Sequence, residues 1–144
     1  MRRTFLIALL AAVPLLAAVP LLASAQDAPK PPTRVVVQVS EADPARWNLV
    51  LNNVKNLQDD LGAKNVAIEI VAYGPGIGML KFDAPTNSRV SEALRSGVAV
   101  QACENTMRNQ KLAQADMHPG ISYVPAGVVQ IVKRQQEGWA YLRP

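Results

Sequence analysis

Apolar residues fall into short runs that are separated by segments with a helical spacing. Val35–Val39 is rich in valine and shows no alternation, which predicts a strand of a parallel sheet that is buried on both faces. Val66–Ala72 and Val98–Cys103 are similar runs and predict two more strands. Short strands are also predicted around Ser122–Val124 and over Trp139–Leu142.

The segments between these runs carry apolar residues at spacings of three and four, which is typical of amphipathic helices. The first predicted helix begins at Asp43–Pro44, where a capping carboxylate precedes a ring whose fixed φ suits the first turn. It ends at Gly62. Its apolar face consists of Trp47, Val50, Leu51, Val54, Leu57 and Leu61. A second helix is predicted from Ser88 to Gly97.

Two further helices complete the pattern. Asn105 or Thr106 is expected to cap a short helix that runs to Leu112. Pro125 opens the last helix, and Gly138 ends it. The residues of this helix that are expected to face inward are Val128, Ile131 and Val132.

This alternation of strands and helices predicts the fold class. It is typical of an α/β three-layer sandwich, with a mostly parallel sheet of about five strands and helices on both faces. In such sheets ligands and reactive groups gather outside the carboxyl ends of the strands. The segments to search for chemistry are therefore residues 40–43, 73–80, 103–106 and 122–125.

Residues 1–25 have the three parts of a secretory signal peptide. Arg2 and Arg3 form the basic start, Phe5–Leu22 is apolar, and Ala23–Ala25 is a small-residue cleavage site. The start also resembles a twin-arginine signal, so both export routes remain open. The segment predicts export from a bacterial cytoplasm to the periplasm.

Cleavage after residue 25 would define two further regions. Residues 26–33 contain three prolines and predict an extended tether, and residues 34–144 form the folded α/β domain. The alternative is an uncleaved membrane anchor, because Phe5–Leu22 approaches spanning length, but Pro14, Pro20 and the small-residue ending favour cleavage. No membrane attachment is expected after cleavage.

Composition narrows the function classes further. The chain has 144 residues with one cysteine, which excludes a disulfide within one chain. The formal charge of +4 falls to +2 when Arg2 and Arg3 are left out, and aromatic residues are only 5% of the chain. Neither value favours a nucleic-acid partner.

Cys103 is the thiol that could carry chemistry. It is predicted at the end of a strand just before a helix start, where unpaired N–H groups and the helix dipole favour a thiolate. Glu104 beside it would oppose ionisation. The alternative is a cysteine that packs in the core as a small apolar side chain.

The glycine-rich segment after the second predicted strand is the other candidate. It contains Tyr73, Gly74, Gly76, Gly78 and Met79. It lacks the spacing of a dinucleotide fingerprint and of a Walker loop. A tight turn, a loop that shapes a small pocket, and an anion or nucleotide site remain as alternatives.

The remaining polar candidates predict no cofactor and no metal. A soft-metal site of Cys103, Met107, Met117 and His118 has no recognisable ligand spacing. A serine triad is not expected, because there is no GxSxG motif and His118 has no evident partner. His118 is interpreted as a solvated loop residue before the turn at Pro119–Gly120.

With these residues in view, the chain resembles the DsrE/DsrF-like family of small α/β proteins linked to sulfur transfer and sulfur oxidation. The segments that carry the resemblance are Val35–Ser40, Asp43–Trp47, Val71–Ile77, Ala102–Met107, Pro119–Ile121, Tyr123–Val129 and Glu137–Tyr141. The resemblance implies that Cys103 carries sulfur as a persulfide and that the domain forms a homo-oligomer. The Ala102–Thr106 segment is similar to the version in family members of undefined role, and the export signal departs from the cytoplasmic relay proteins.

Two hypotheses follow. In the first, the protein handles sulfur in the periplasm, and Cys103 accepts sulfur from a donor protein or passes it to an acceptor. The N–H groups of Glu104, Asn105 and Thr106 stabilise the anion, and the loop from Tyr73 to Met79 shapes the pocket. In the second, the chain is a noncatalytic oligomeric module that binds a small ligand or partner, and Cys103 is structural.

Overall fold

The computed structural model describes residues 32–144. The predicted signal peptide and residues 26–31 of the predicted tether lie outside the described residues. Thr33, the last residue assigned to the tether, is the first residue of β1.

The chain alternates strands and helices, as its hydrophobic pattern predicts. The elements, in chain order, are β1 (Thr33–Val39), α1 (Pro44–Leu61), β2 (Val66–Ala72), a 3-10 segment (Gly74–Leu80), α2 (Asn87–Arg95), β3 (Ala99–Cys103), α3 (Glu104–Asn109), a 3-10 turn (Gln114–Asp116), β4 (Ser122–Val124), α4 (Gly127–Gln136) and β5 (Ala140–Leu142). None of the helices within residues 32–144 is long and apolar enough to cross a membrane.

The five strands form one sheet in the order β4-β3-β2-β1-β5, and every neighbouring pair is parallel. From β1 the chain steps in one direction to β4, then crosses back to place β5 on the other side of β1. Because parallel crossovers are right-handed, the reversed step puts α4 on the face opposite α1, α2 and α3. The predicted α/β sandwich with helices on both faces is confirmed.

The larger core lies between the sheet and α1, α2 and α3. Within residues 32–144 it contains 22 buried residues, among them Val37, Val54, Ile70 and Val90. α1 is fixed at its start as predicted, because Asp43 Oδ1 accepts a hydrogen bond of 2.8 Å from the Ala45 N–H. This face is therefore held by ordinary apolar packing.

The opposite core, beneath α4, is small. Its buried members are Val36, Val71, Val124 and Ile131. The predicted inward orientation of Val128 and Val132 is wrong, because these side chains are 55% and 48% exposed. α4 presents polar residues to the sheet instead.

The start of α3 also differs from the prediction. Neither Asn105 nor Thr106 caps the helix: the N-cap residue is Cys103, and the helix ends at Asn109 rather than continuing to Leu112. The thiol therefore lies where a capping oxygen would normally lie.

Candidate functional site

Cys103 ends β3 at the carboxyl edge of the sheet. Its neighbours in the strand, Val100 and Ala102, belong to the larger core, so strand alternation directs Cys103 toward the α4 side. The residue is 4% exposed. Access of a reagent or sulfur donor to the thiol is therefore restricted.

Hydrogen-bond donors surround the thiol and favour its ionised form. Burial raises the pKa of Cys103, but donors to the sulfur outweigh burial and leave the pKa below its ordinary value. These donors are the Thr106 hydroxyl and the backbone N–H groups of Gly127, Thr106 and Asn105. They come from the starts of two helices, α3 and α4, so the sulfur lies between two sets of amide dipoles.

Thr106 is the donor that links the thiol to the glycine-rich segment. Its Oγ1 accepts a hydrogen bond of 2.9 Å from the Gly74 N–H, which leaves the hydroxyl proton for the sulfur. The Gly74 carbonyl in turn accepts a bond of 3.2 Å from the Gln110 side chain. The β2–α2 connection and α3 are thereby joined at the thiol.

Gly127 brings the start of α4 close to the thiol. A methyl group added at Gly127 would lie 3.0 Å from Tyr73 Cβ and 3.3 Å from Cys103 Cβ. The N-cap residue Ala126 has no side-chain acceptor to offer the helix start. The Gly127 N–H is among the groups that lower the pKa of Cys103. Gly127 was not among the sequence candidates.

The other glycines of the Tyr73–Met79 segment pack inward. A methyl group at Gly76 would lie 2.3 Å from the Val39 carbonyl oxygen, and one at Gly78 would lie 3.0 Å from the Trp47 ring. Met79 is fully buried in the larger core. The segment is a 3-10 helix, and its Tyr73 and Gly74 are the members that reach the thiol environment.

Glu104 and Asn105 lie next to Cys103 but differ in role. The Asn105 N–H faces the thiol and also donates to the Pro125 carbonyl at 3.2 Å. The Asn105 side chain accepts a hydrogen bond from Arg108. Glu104 lines a separate small cavity with Arg108 and Tyr123. Glu104 is not among the groups that shift the pKa of Cys103.

A polar network borders Tyr73 at the carboxyl ends of β1 and β5. The Tyr141 hydroxyl donates to Gln38 Oε1 at 2.6 Å, and Arg143 pairs with Glu41. Burial and then Tyr141 raise the pKa of Tyr73, whereas Arg143 lowers it. Sequence analysis missed Tyr141 and Arg143, although their place at the carboxyl end of the last predicted strand was a usable signal.

His118 differs from its interpretation as a solvated residue. It is 5% exposed, its Nε2 lies 2.7 Å from the Ser91 hydroxyl, and its Nδ1 faces the Pro119 carbonyl. The expectation that His118 has no partner is wrong. The pair fastens the loop before β4 to α2.

Within residues 32–144, no group of three or more His, Cys, Asp and Glu side chains is arranged to hold a metal ion. The side chains around Cys103 are a threonine and a tyrosine, together with backbone amides. The donors among these groups favour the ionised form of the sulfur.

Comparison with solved structures places this chain in a family. MTH1491 from Methanobacterium thermoautotrophicum, a protein of unknown function, is 43% identical over 78% of this chain and 99% of that chain, with a TM-score of 0.74. This chain belongs to the family of MTH1491. No protein-family model matches the sequence, and comparison with curated proteins finds no relative.

Two more distant structures share the fold of the MTH1491 family. BT1422 from Bacteroides thetaiotaomicron, a conserved protein of unknown function, is 17% identical over 77% of this chain and 94% of that chain, with a TM-score of 0.64. The YchN protein from E. coli is 11% identical over 78% of this chain and 99% of that chain, with a TM-score of 0.61. At these identities the likeness concerns the architecture alone.

Proposed function

We propose that this protein is a DsrE-like sulfur handler in which Cys103 carries a sulfur atom as a persulfide. The observation that carries the proposal is the position of the thiol between the starts of α3 and α4, where several donors lower its pKa. The resemblance to the DsrE/DsrF-like family points to the same residue. A thiolate is the form of cysteine that attacks sulfur.

The chemistry requires only a sulfur donor. The Cys103 thiolate attacks the terminal sulfur of a donor persulfide, R–S–SH. The donor S–S bond breaks, R–S⁻ leaves, and Cys103 becomes Sγ–SH. The reverse reaction with an acceptor thiolate passes the sulfur on, so no oxidant is needed. The same amide groups that favour the thiolate would stabilise the persulfide anion.

Intact-mass spectrometry of the folded protein with and without polysulfide tests the proposal. The expected result is a gain of whole sulfur atoms that a reductant removes and that the Cys103→Ser variant lacks. If the native protein gains no sulfur and gains it only after unfolding, Cys103 is a packing residue and the proposal fails.

Thr106 offers a sharper test of the site itself. Thr106→Val removes the hydroxyl donor with little change in shape, so we expect the midpoint of the pH profile of iodoacetamide alkylation to rise by about one unit. Thr106→Ser keeps the hydroxyl and is the matched control. An unchanged midpoint in Thr106→Val would show that the hydroxyl does not act on the sulfur.

The 4% exposure of Cys103 favours one alternative, a noncatalytic binding module in which the thiol is structural. Substitution of Cys103 distinguishes the two functions. Under the alternative, Cys103→Ser keeps ligand or partner binding and changes only stability. Under the sulfur proposal, the variant loses sulfur uptake while its fold remains.

We further propose that the domain forms a homo-oligomer through the outer face of α4. Val128, Val129 and Val132 are 55%, 61% and 48% exposed and lie together on that face. Light scattering after size exclusion should show an oligomer whose mass falls when Val129 and Val132 are both changed to Gln. Changing exposed Leu49 of α1 to Gln should leave the mass unaltered.

The predicted signal peptide supports a periplasmic location, which we include in the proposal. Cell fractionation should find the protein in the periplasm with an N-terminus at Gln26. A chain that starts at Met1 in the cytoplasmic fraction would contradict this part of the proposal.

A further inference from the structure

Glu69 is a buried carboxylate in the middle of β2. It is 2% exposed and its side chain faces α4, on the same side of the sheet as Cys103. Moving a charged group out of water is costly, and replacing a buried ion pair by apolar residues is often neutral or stabilising. Apolar packing alone therefore gives no reason for a carboxylate here.

Both oxygens of Glu69 are bound by α4. Oε1 accepts a hydrogen bond of 2.7 Å from Gln130 Nε2. Oε2 accepts a hydrogen bond of 2.9 Å from Arg134 Nε and lies 2.8 Å from Nη2 in an ion pair. The guanidinium of Arg134 also stacks on Trp139, 4.8 Å from its ring centroid, and pairs with Glu137. We call Glu69, Gln130 and Arg134 the Glu69 clamp.

The clamp determines which face of α4 meets the sheet. Gln130 and Arg134 are four residues apart and lie on one face of the helix together with Gly127 and Ile131. Val128, Val129 and Val132 are turned outward instead. Hydrophobic burial by itself would rotate α4 toward its valines, so the polar clamp opposes that rotation.

The same face carries the donor to the thiol. Ala102 pairs with Ala72, so Cys103 lies beside Tyr73, four residues beyond Glu69 and about 13 Å along the sheet. Gly127 precedes Arg134 by seven residues, which is about 10 Å along the helix. When Arg134 is held at Glu69, the start of α4 therefore reaches Cys103.

We propose that Glu69 is a positioning residue that sets the rotation of α4 through Gln130 and Arg134, and so holds the Gly127 N–H at the Cys103 sulfur. This inference rests on the proposed function for its biological purpose. Its physical content concerns ionisation of the thiol and can be tested without any sulfur donor.

The test is the pH profile of Cys103 alkylation by iodoacetamide in wild-type protein and Glu69→Gln. The profile midpoint reports ionisation, and the plateau rate at high pH reports access to the thiol. We expect the midpoint to rise in Glu69→Gln, with a three- to tenfold lower rate at pH 7, because one donor to the thiolate is lost.

The sign of the change separates positioning from direct electrostatics. Glu69→Gln removes a negative charge and leaves Arg134 without this counter-ion. Through space, both changes would favour the thiolate and so lower the pKa of the thiol. A raised midpoint therefore requires displacement of α4. A lowered or unchanged midpoint in folded Glu69→Gln would overturn the proposal.

Glu137→Gln is the matched control, because it removes the exposed carboxylate partner of the same arginine. Its midpoint should equal that of the wild type. The Gly127 amide should shift in a proton–nitrogen correlation spectrum of Glu69→Gln and stay in place in Glu137→Gln. A midpoint that rises equally in both variants would also overturn the proposal.

If Glu69→Gln does not fold, Gln130→Met decides the question, since it removes one neutral donor of the clamp at similar volume. A raised midpoint with the Gly127 shift supports the proposal, and an unchanged midpoint contradicts it. Failure of the wild-type protein to take up sulfur would refute the proposed function while leaving these midpoints fully interpretable.

Discussion

The two faces of the sheet are built on different principles. On one face, α1, α2 and α3 cover a large apolar core, and each helix is oriented by its hydrophobic residues. On the other face, α4 covers a small core, is oriented by Glu69, and leaves three valines exposed. The apolar face provides most of the packing. The polar face supplies the Gly127 N–H to Cys103, and the start of α3 supplies the other donors.

This difference teaches that stability and thiol chemistry are largely separable in this fold. A change in the larger core should cost free energy of unfolding without altering the thiol. A change at α4 should alter the thiol at a smaller cost in stability. The following experiments test that separation.

The largest effect is expected from a matched pair of core truncations. Ile70→Ala, in the fully buried centre of the larger core, should lower the free energy of unfolding by about 2–5 kcal/mol and leave the thiol midpoint unchanged. Ile131→Ala beneath α4 should cost less, because one side of the helix is open to solvent, and should raise the midpoint. Denaturant unfolding and alkylation profiles measure the two quantities. Equal midpoints of the Cys103 alkylation profile in the two variants would contradict the separation of stability from thiol chemistry.

Gly127→Ala should have the next largest effect. The added methyl group would lie 3.0 Å from Tyr73 Cβ and 3.3 Å from Cys103 Cβ, so the start of α4 must move away from the sheet. We expect a loss of about 1–3 kcal/mol and a raised thiol midpoint. Gly97→Ala, at a position with open space and φ of +90°, is a control for backbone strain alone and should leave the midpoint unchanged.

Changes at the outer valines should affect assembly more than folding. Val132→Gln removes apolar surface that is 48% exposed, so the free energy of unfolding of the monomer should change by less than about 0.5 kcal/mol. On dilution, the oligomer mass measured by light scattering should fall at a higher protein concentration than it does for the wild type. A large loss of monomer stability would show that Val132 packs within its own chain.

The smallest effect is the dependence of stability on pH. Because the folded protein lowers the pKa of Cys103, the folded state releases the thiol proton at a pH where the unfolded chain still holds it. The stability of the wild type relative to Cys103→Ser should therefore rise with pH through the folded pKa and level off above the unfolded value of about 8.5. Chemical unfolding at several pH values measures this difference, and a fall with rising pH would contradict the thiolate assignment.

The fold could be predicted because its signals are local. The valine run of β1, the Asp43–Pro44 start of α1 and the glycine after that helix act through neighbouring residues, and each has its predicted role. Cys103 was found in the same way, since a residue at the end of a strand and the start of a helix is visible in the chain.

The candidate site was only partly visible, because its donors come from distant segments. Thr106 is near Cys103 in sequence and was identified, whereas Gly127 and Tyr141 approach the site through the crossing of α4 and the placement of β5. Met79 carried an apolar side chain that suits a pocket wall or a core equally well, and packing placed it in the core.

The sequence by itself determined the order of strands and helices, their approximate bounds and the place of the thiol at a strand end. These features follow from hydrophobic periodicity and capping, which act over a few residues. Only the tertiary structure decided how α4 is rotated and what surrounds the sulfur. The contact between Glu69 and Arg134 joins residues 65 positions apart, and its strength depends on a burial that no local pattern records.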